Sequence, residues 1–257
     1  MTSTSIYKDI ATRTGGDIYI GVVGPVRTGK STFIKKFMET LVIPNIEGTH
    51  KRERAVDELP QSSAGKTIMT TEPKFIPDEA AHIVLDDNTH FNVRMIDCVG
   101  YVVDSALGYI ENDMPRKVMT PWDMNEMDFQ TAAEIGTKKV ICEHSTIGLV
   151  ITTDGSIGEI PRSDYEEAEG RIIEELKSIN KPFVLLVNSM FPDSEGVREL
   201  CKKLEAQYCV PTMSINCIEL NGEQIVDIIK TVLMEFPVKQ IKLDIPEWIS
   251  TLTPDHW

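Results

Sequence analysis

The chain has 257 residues, enough for one large α/β domain or two small ones, with the composition of an ordinary soluble globular protein. Its net charge of −14 repels nucleic acid and anionic lipid as bulk partners, although a local basic face could still bind either. The longest apolar runs fall short of the ~20 residues a membrane span needs, residues 1–16 lack the apolar core of a signal peptide, and the five cysteines form no Cys-x-x-Cys pair, which reads as reduced thiols in a cytosol.

In chain order, a β-branched run at 18–23 predicts a strand, and a helix is expected to begin near Gly29 and run to residue 39. Residues 41–75 read as irregular, followed by a second predicted strand at 91–97 and a second irregular segment at 98–128. A helix fits 129–144, a strand 147–152, and a helix from Arg162. That helix places Ile172, Ile173, Leu176 and Ile179 on one face, opposite a strip of glutamates that reads as solvated. Strands at 183–188 and 210–215 alternate with helices starting near Ser194 and Gly222. This alternation predicts an α/β fold, a mostly parallel sheet flanked by helices.

Loops beyond about 12–15 residues are unusual unless functional or disordered. In a P-loop protein, 41–75 and 98–128 fall where the segments that sense the γ-phosphate belong. Residues 1–236 are expected to form one P-loop ATPase domain. Residues 237–257 would start the connection to a further C-terminal region, because the short Pro-containing tail ending at Trp257 looks like a cut within a longer protein.

The chemistry begins at Gly24-x4-Gly29-Lys30-Ser31, which follows one predicted strand and opens a helix, the context a Walker A motif requires. Its glycines would let backbone N–H groups face phosphate oxygens, helped by the helix N-terminus. Gly24, Arg27, Thr28, Gly29, Lys30, Ser31 and Thr32 are the expected nucleotide contacts. Lys30 would bridge the β- and γ-phosphates and the Ser31 hydroxyl would hold Mg²⁺. A second Gly-Lys-Thr at Gly65-Lys66-Thr67 is a decoy, since Pro60 stands where the first glycine belongs. Asp97-Cys98-Val99-Gly100 ends the strand at 91–97. Asp97 would hold Mg²⁺, commonly through water, and Gly100 would offer its N–H to the γ-phosphate. Thr70 or Thr71 is the candidate to complete the metal shell and fix the attacking water.

Absences carry information too. Guanine-specific switch proteins follow the next strand with Asn-Lys-x-Asp, whose Asp accepts from guanine. Here the strand is followed by Asn188-Ser189-Met190-Phe191. Phe191 has no carboxylate, and a site built on paired polar groups loses much discrimination when one is missing. Asn188 remains a candidate nucleotide contact, and ATP is favoured over GTP. Tyr101 stands where Ras-like enzymes carry a water-orienting glutamine. It cannot do that work in the same way, so slow turnover, or help from a neighbouring subunit, is expected. Arg27 and Arg162 are candidate charge-stabilising residues, with a surface role at a helix start preferred for Arg162.

These residues resemble one family. The strings Asp9-Ile-Ala-x-Arg13-Thr-Gly-Gly-Asp-Ile-Tyr19, Gly24-x-Val-Arg-Thr-Gly-Lys-Ser-Thr-Phe-Ile-Lys-Lys-Phe37 and Glu58-Leu-Pro-Gln-Ser62 are similar to stage IV sporulation protein A. So are Ala64-Gly-Lys-Thr-Ile-Met-Thr-Thr-Glu-Pro-Lys-Phe75, Glu143-His-Ser-Thr-Ile-Gly148, Ile151-Thr-Thr-Asp-Gly-Ser-Ile157 and Arg162-Ser-Asp-Tyr165. The resemblance implies a translation-factor-GTPase-like fold that has come to hydrolyse ATP with Mg²⁺. It implies that hydrolysis drives self-association into a polymer, the basement layer of the spore coat, on the outer forespore surface in the mother-cell cytoplasm. Spore coat proteins and a small amphipathic membrane-anchoring peptide are the implied partners, with the membrane surface met indirectly and no nucleic acid. By position, Lys30 matches the Walker A lysine, Asp97 the Walker B-like aspartate, and Thr70 and Thr71 the sensor threonines. A GTP-dependent switch and a non-catalytic nucleotide-holding module are the rival readings. A small-molecule kinase is weaker, because no acceptor site or base can be assigned.

Overall fold

The computed structural model describes residues 17–60, 73–86, 89–103, 105–106, 109–111 and 114–236. The first half of the chain forms β1 (Asp17–Val23), α1 (Lys30–Phe37), α2 (Thr49–Asp57), β2 (Lys74–Asp86) and β3 (Thr89–Asp97). Four short strands follow, β4 (Ile110–Glu111), β5 (Met114–Pro115), β6 (Lys117–Thr120) and β7 (Asp123–Asp128), and then α3 (Phe129–Lys139). The second half alternates strictly: β8 (Ile147–Thr153), α4 (Glu166–Ser178), β9 (Phe183–Asn188), α5 (Glu195–Tyr208), β10 (Thr212–Ile215) and α6 (Gly222–Met234).

One six-stranded sheet in the order β10-β9-β8-β1-β3-β2 is the scaffold. All its pairings are parallel except the outermost, where β2 runs antiparallel to β3. Parallel strands covered on both faces need apolar side chains on both faces. β8 and β9 accordingly have every residue buried. Alternate residues point to opposite faces. Ile18, Ile20 and Val22 of β1, Leu149 of β8 and Leu186 of β9 pack with α1 and α6 in one core. Val150, Leu185 and Val187 pack with α4 and α5 in the other. α1 contributes Phe33, Ile34 and Phe37, and α4 contributes Ile172, Ile173 and Leu176, each a stripe at helical spacing. α5 is capped at its start by Ser194, whose hydroxyl oxygen accepts from the Val197 N–H at 3.4 Å.

The five predicted strands and five predicted helices are present, but four readings need correction. Residues 41–75 are not wholly irregular. A π-helical turn (Met38–Val42) and a 3₁₀ turn (Ile43–Asn45) lead into α2, and β2 begins at Lys74. α2 buries only Ala55, so it has no apolar stripe to announce it. β2 is an edge strand interrupted by Pro77, Asp78 and Glu79, with a register shift between Ile76 and Ala81, which breaks the alternation that marks a strand. Residues 98–128 carry two small antiparallel ribbons, β4–β5 and β6–β7. Finally, β10 starts at Thr212, after Pro211, and Ile179 falls beyond the end of α4, where it is exposed. No helix among the described residues is long and apolar enough to cross a membrane.

Candidate functional site

Because β1, β3, β8, β9 and β10 run parallel, the loops leaving their C-terminal ends share one edge of the sheet. That edge is where open α/β sheets bind ligands. The loop leaving β1 turns at Gly24, with φ 147°, and delivers Gly29, with φ 94°, to the start of α1. Gly24 also has no room for a side chain: a Cβ there would stand 2.1 Å from the Ile151 carbonyl oxygen. Arg27 takes φ 63° without being glycine, its side chain exposed, while Thr28 is fully buried and its hydroxyl donates to the Pro25 carbonyl at 3.0 Å.

Lys30 opens α1 and is 5% exposed. Its Nζ donates to the carbonyls of Pro25 at 2.6 Å and Gly24 at 3.3 Å, folding the amine back over the loop. Burial pulls its pKa below the ordinary lysine range, with Cys98 and Asp97 pulling the other way. Ser31, next on the helix, donates its hydroxyl to Asp97 Oδ2 at 2.6 Å. The other carboxylate oxygen, Asp97 Oδ1, is buried and has no hydrogen-bond partner. Burial pushes the Asp97 pKa up, while the Ser31 hydrogen bond and the Lys30 charge oppose it.

An unpartnered, buried carboxylate oxygen carries a desolvation cost that a cation offsets. A hydroxyl beside it completes the oxygen-donor pair that a hard divalent ion prefers. Ser31 and Asp97 therefore fit Mg²⁺. Among the described residues no group of three or more His, Cys, Asp or Glu could hold a metal, so a cation here would draw its remaining ligands from water and substrate oxygens.

The loop leaving β3 locks against the loop leaving β1. Gly100 has φ 89°, and a Cβ on it would meet the Gly24 carbonyl oxygen at 2.0 Å and Lys30 Nζ at 2.7 Å. Pro25 and Tyr101 form a parallel β-bridge, with the Val26 N–H donating to the Tyr101 carbonyl at 2.9 Å. The Tyr101 ring is 2% exposed and belongs to the second core. The Arg171 guanidinium lies 4.8 Å from its centroid, and Glu134 pairs with that guanidinium. The residue in the position of the water-orienting glutamine is thus built into the fold.

Asn188, at the end of β9, is 4% exposed and braces two loops. Its Nδ2 donates to the Thr28 carbonyl at 3.0 Å, and its Oδ1 accepts from the Cys217 N–H at 3.1 Å. Thr32 is half-buried one turn into α1. Thr70 and Thr71 lie outside the described residues.

Arg162 does not have the expected surface role. Its guanidinium makes two bonds to the Glu169 carboxylate, at 2.7 and 2.8 Å, and a third to the Thr152 hydroxyl at 2.9 Å. Glu169 is fully buried, so one member of the supposedly solvated glutamate strip is half of an internal ion pair. The seven-residue separation from Arg162 to Glu169 is the signal, and it was legible only once the 3₁₀ turn Arg162–Tyr165 was known to precede α4. The loop after β8 was also missed. Asp154 accepts from the Ser156 hydroxyl at 2.7 Å and the Ser189 hydroxyl at 2.7 Å, tying that loop to the one after β9. Burial opposes its ionisation, but these bonds and that from the Ser156 N–H together hold its pKa below the usual carboxylate range.

The model describing the ATPase domain of stage IV sporulation protein A matches residues 1–237. The chain is 52% identical over 257 residues to the stage IV sporulation protein A of Bacillus anthracis, covering 100% of this chain and 52% of that protein. Against the same protein of Clostridioides difficile (strain 630) it is 52% identical over 255 residues, covering 99% of this chain and 52% of that one. Against that of Bacillus subtilis (strain 168) it is 51% identical over 257 residues, again covering 52% of the relative. The chain spans about half the length of these curated relatives. A mostly parallel α/β sheet with a sequence match over almost all of it places this chain in the stage IV sporulation protein A family, as a member of its ATPase domain.

Proposed function

We propose that the loop from Gly24 to Ser31 is a P-loop on a translation-factor-GTPase-like fold, and that it binds ATP with Mg²⁺ and hydrolyses it. The observation that carries this is the pairing of Ser31 with Asp97, which leaves Asp97 Oδ1 free and buried within reach of Lys30's charge. Lys30, released from the Pro25 and Gly24 carbonyls, would meet the β- and γ-phosphates. Gly100, which cannot carry a side chain, lets its backbone approach the terminal phosphate. Asp97 and the Ser31 hydroxyl would hold the ion, and Mg²⁺ when bound would neutralise charge on the transferring oxygens. Thr70 or Thr71 would position the water.

By kinship with proteins named for a stage of sporulation, hydrolysis would drive self-assembly of the basement layer of the spore coat at the forespore surface. Coat proteins and a small amphipathic anchoring peptide would be its partners. The test is phosphate release with ATP and GTP side by side, in the wild type and in Lys30→Ala. We expect turnover with ATP well above that with GTP, and its loss in the variant. Equal turnover with GTP would make the protein a guanine-tolerant switch, and unchanged release in Lys30→Ala would leave only a nucleotide-holding module.

A further inference from the structure

The loops that follow β9 and β10 hold three large apolar side chains in water: Met190, 44% exposed, Phe191, 69%, and Ile218, 61%. β9 and β10 are parallel neighbours with Ile215 level with Asn188, so these side chains stand at the same sheet edge as the loop 24–29. They are not the tips of loose loops. The Met190 N–H donates to the Ser156 hydroxyl and the Phe191 N–H to the Ser189 hydroxyl, each at 2.9 Å. Ser189 itself is fully buried.

The apolar rim is joined to the phosphate loop through Asn188. A Cβ on Gly29 would stand 2.3 Å from Asn188 Nδ2 and 3.7 Å from Cys217 Sγ, so the segment before Ile218 packs directly on the start of α1. Each polar atom of the Asn188 amide already holds one hydrogen bond, Nδ2 to Thr28 and Oδ1 from Cys217, which fixes the plane of the amide. Two N–H groups of the facing loop are engaged as well, Cys217 to Asn188 at 3.1 Å and Ile218 to the Asn216 side chain at 3.0 Å. Guanine asks for a donor at its O6 and adenine does not, since its corresponding edge carries an amino donor. The three exposed side chains at this rim offer apolar surface, and every base has a π-face that stacks on such surface.

We propose that the purine ring of the bound nucleotide is clasped on its flat faces by Phe191 and Ile218, with Met190 beside them. Asn188 is the strut that holds this clasp at a fixed distance from the phosphates and does not read the base. The occupant is the adenine of ATP, and the proposal rests on the ATP-binding reading above.

Steady-state hydrolysis in Phe191→Ala and Ile218→Ser tests it, alongside inhibition by inorganic tripolyphosphate, which has no base. Both side chains are exposed, so thermal unfolding should match the wild type. Removal of a stacking side chain costs about tenfold in affinity. The expected result is a KM for ATP raised by that factor, kcat little changed, and tripolyphosphate inhibition unaltered. Phe191→Asp separates clasp from strut: it should weaken ATP as the alanine variant does and gain no GTP turnover. A KM unchanged in all three variants, or GTP turnover gained by Phe191→Asp, overturns the proposal. Read as Kd by calorimetry, the same comparison decides the clasp even where no turnover is seen, and then the hydrolysis reading alone fails.

Discussion

Burial sets the chemistry of single residues here, and the thiols display it most simply. Cys142 and Cys209 are exposed, whereas Cys98, Cys201 and Cys217 are buried, and all five are free. Burial pushes Cys98 and Cys201 up to about 11 and Cys217 up to about 12. The thiolate is the reactive form. A disulfide reagent such as Ellman's should therefore titrate Cys142 and Cys209 in the native protein and the other three only after denaturant is added. Slow uniform reaction of all five would contradict the packing. The same shifts have a consequence for stability. A folded-state pKa above the unfolded value means the native state holds its proton more tightly, so the contribution is complete below the ordinary thiol range. It is lost as pH rises through 11 to 12, and the urea midpoint should fall progressively over that alkaline window. At the same scale, Lys30, Ser31 and Asp97 stand out in the sequence because a Walker A motif and its partner strand call for those residue types at that spacing, and the structure places the three side by side. The free lone pair on Asp97 does not stand out there, because it depends on which oxygen Ser31 occupies.

Between elements, the most consequential unforeseen contact is Arg162 to Glu169. It fastens the 3₁₀ turn before α4 to α4 itself and, through Thr152, to the end of β8. Removing one member of a buried pair leaves the other charged and unsolvated, a loss of about 3–5 kcal/mol. Arg162→Ala should lower unfolding stability by that much in urea titrations. Glu169→Gln, which leaves the remaining charge on the more exposed partner, should cost less. A surface role for Arg162 would have made both changes nearly silent. The strands β8 and β9 were readable because doubly covered parallel strands are apolar at every position, and α4 because its stripe is regular. α2 and β2 were not, since one buries a single alanine and the other lies on the sheet edge with charges and a proline in it. Sequence pattern reports burial, and elements that bury little leave little trace.

For the molecule as a whole, two cores flank a single sheet and both support the same edge. Every loop at that edge is tied to a neighbour: the one after β1 to that after β3, the one after β8 to that after β9, and the one after β9 to that after β10. None of the described residues at this edge supplies an obvious group to orient an attacking water, Tyr101 being built into a core. Completion of the site by another copy would appear as turnover per molecule that rises with protein concentration, measured across a dilution series with ATP saturating. A constant rate would mean each chain hydrolyses alone.

Tyr101 also bears on timing. In a molecular clock the segment after the metal-binding aspartate is the moving hand, free to swing when the terminal phosphate leaves. Here it is riveted. Its carbonyl takes the Val26 N–H, its ring is pressed beneath Arg171, and Val103 and Ala106 are buried beyond it. Swinging it would mean prising open the core that α4 and α5 share. A segment fixed in this way keeps its place unless that shared core opens.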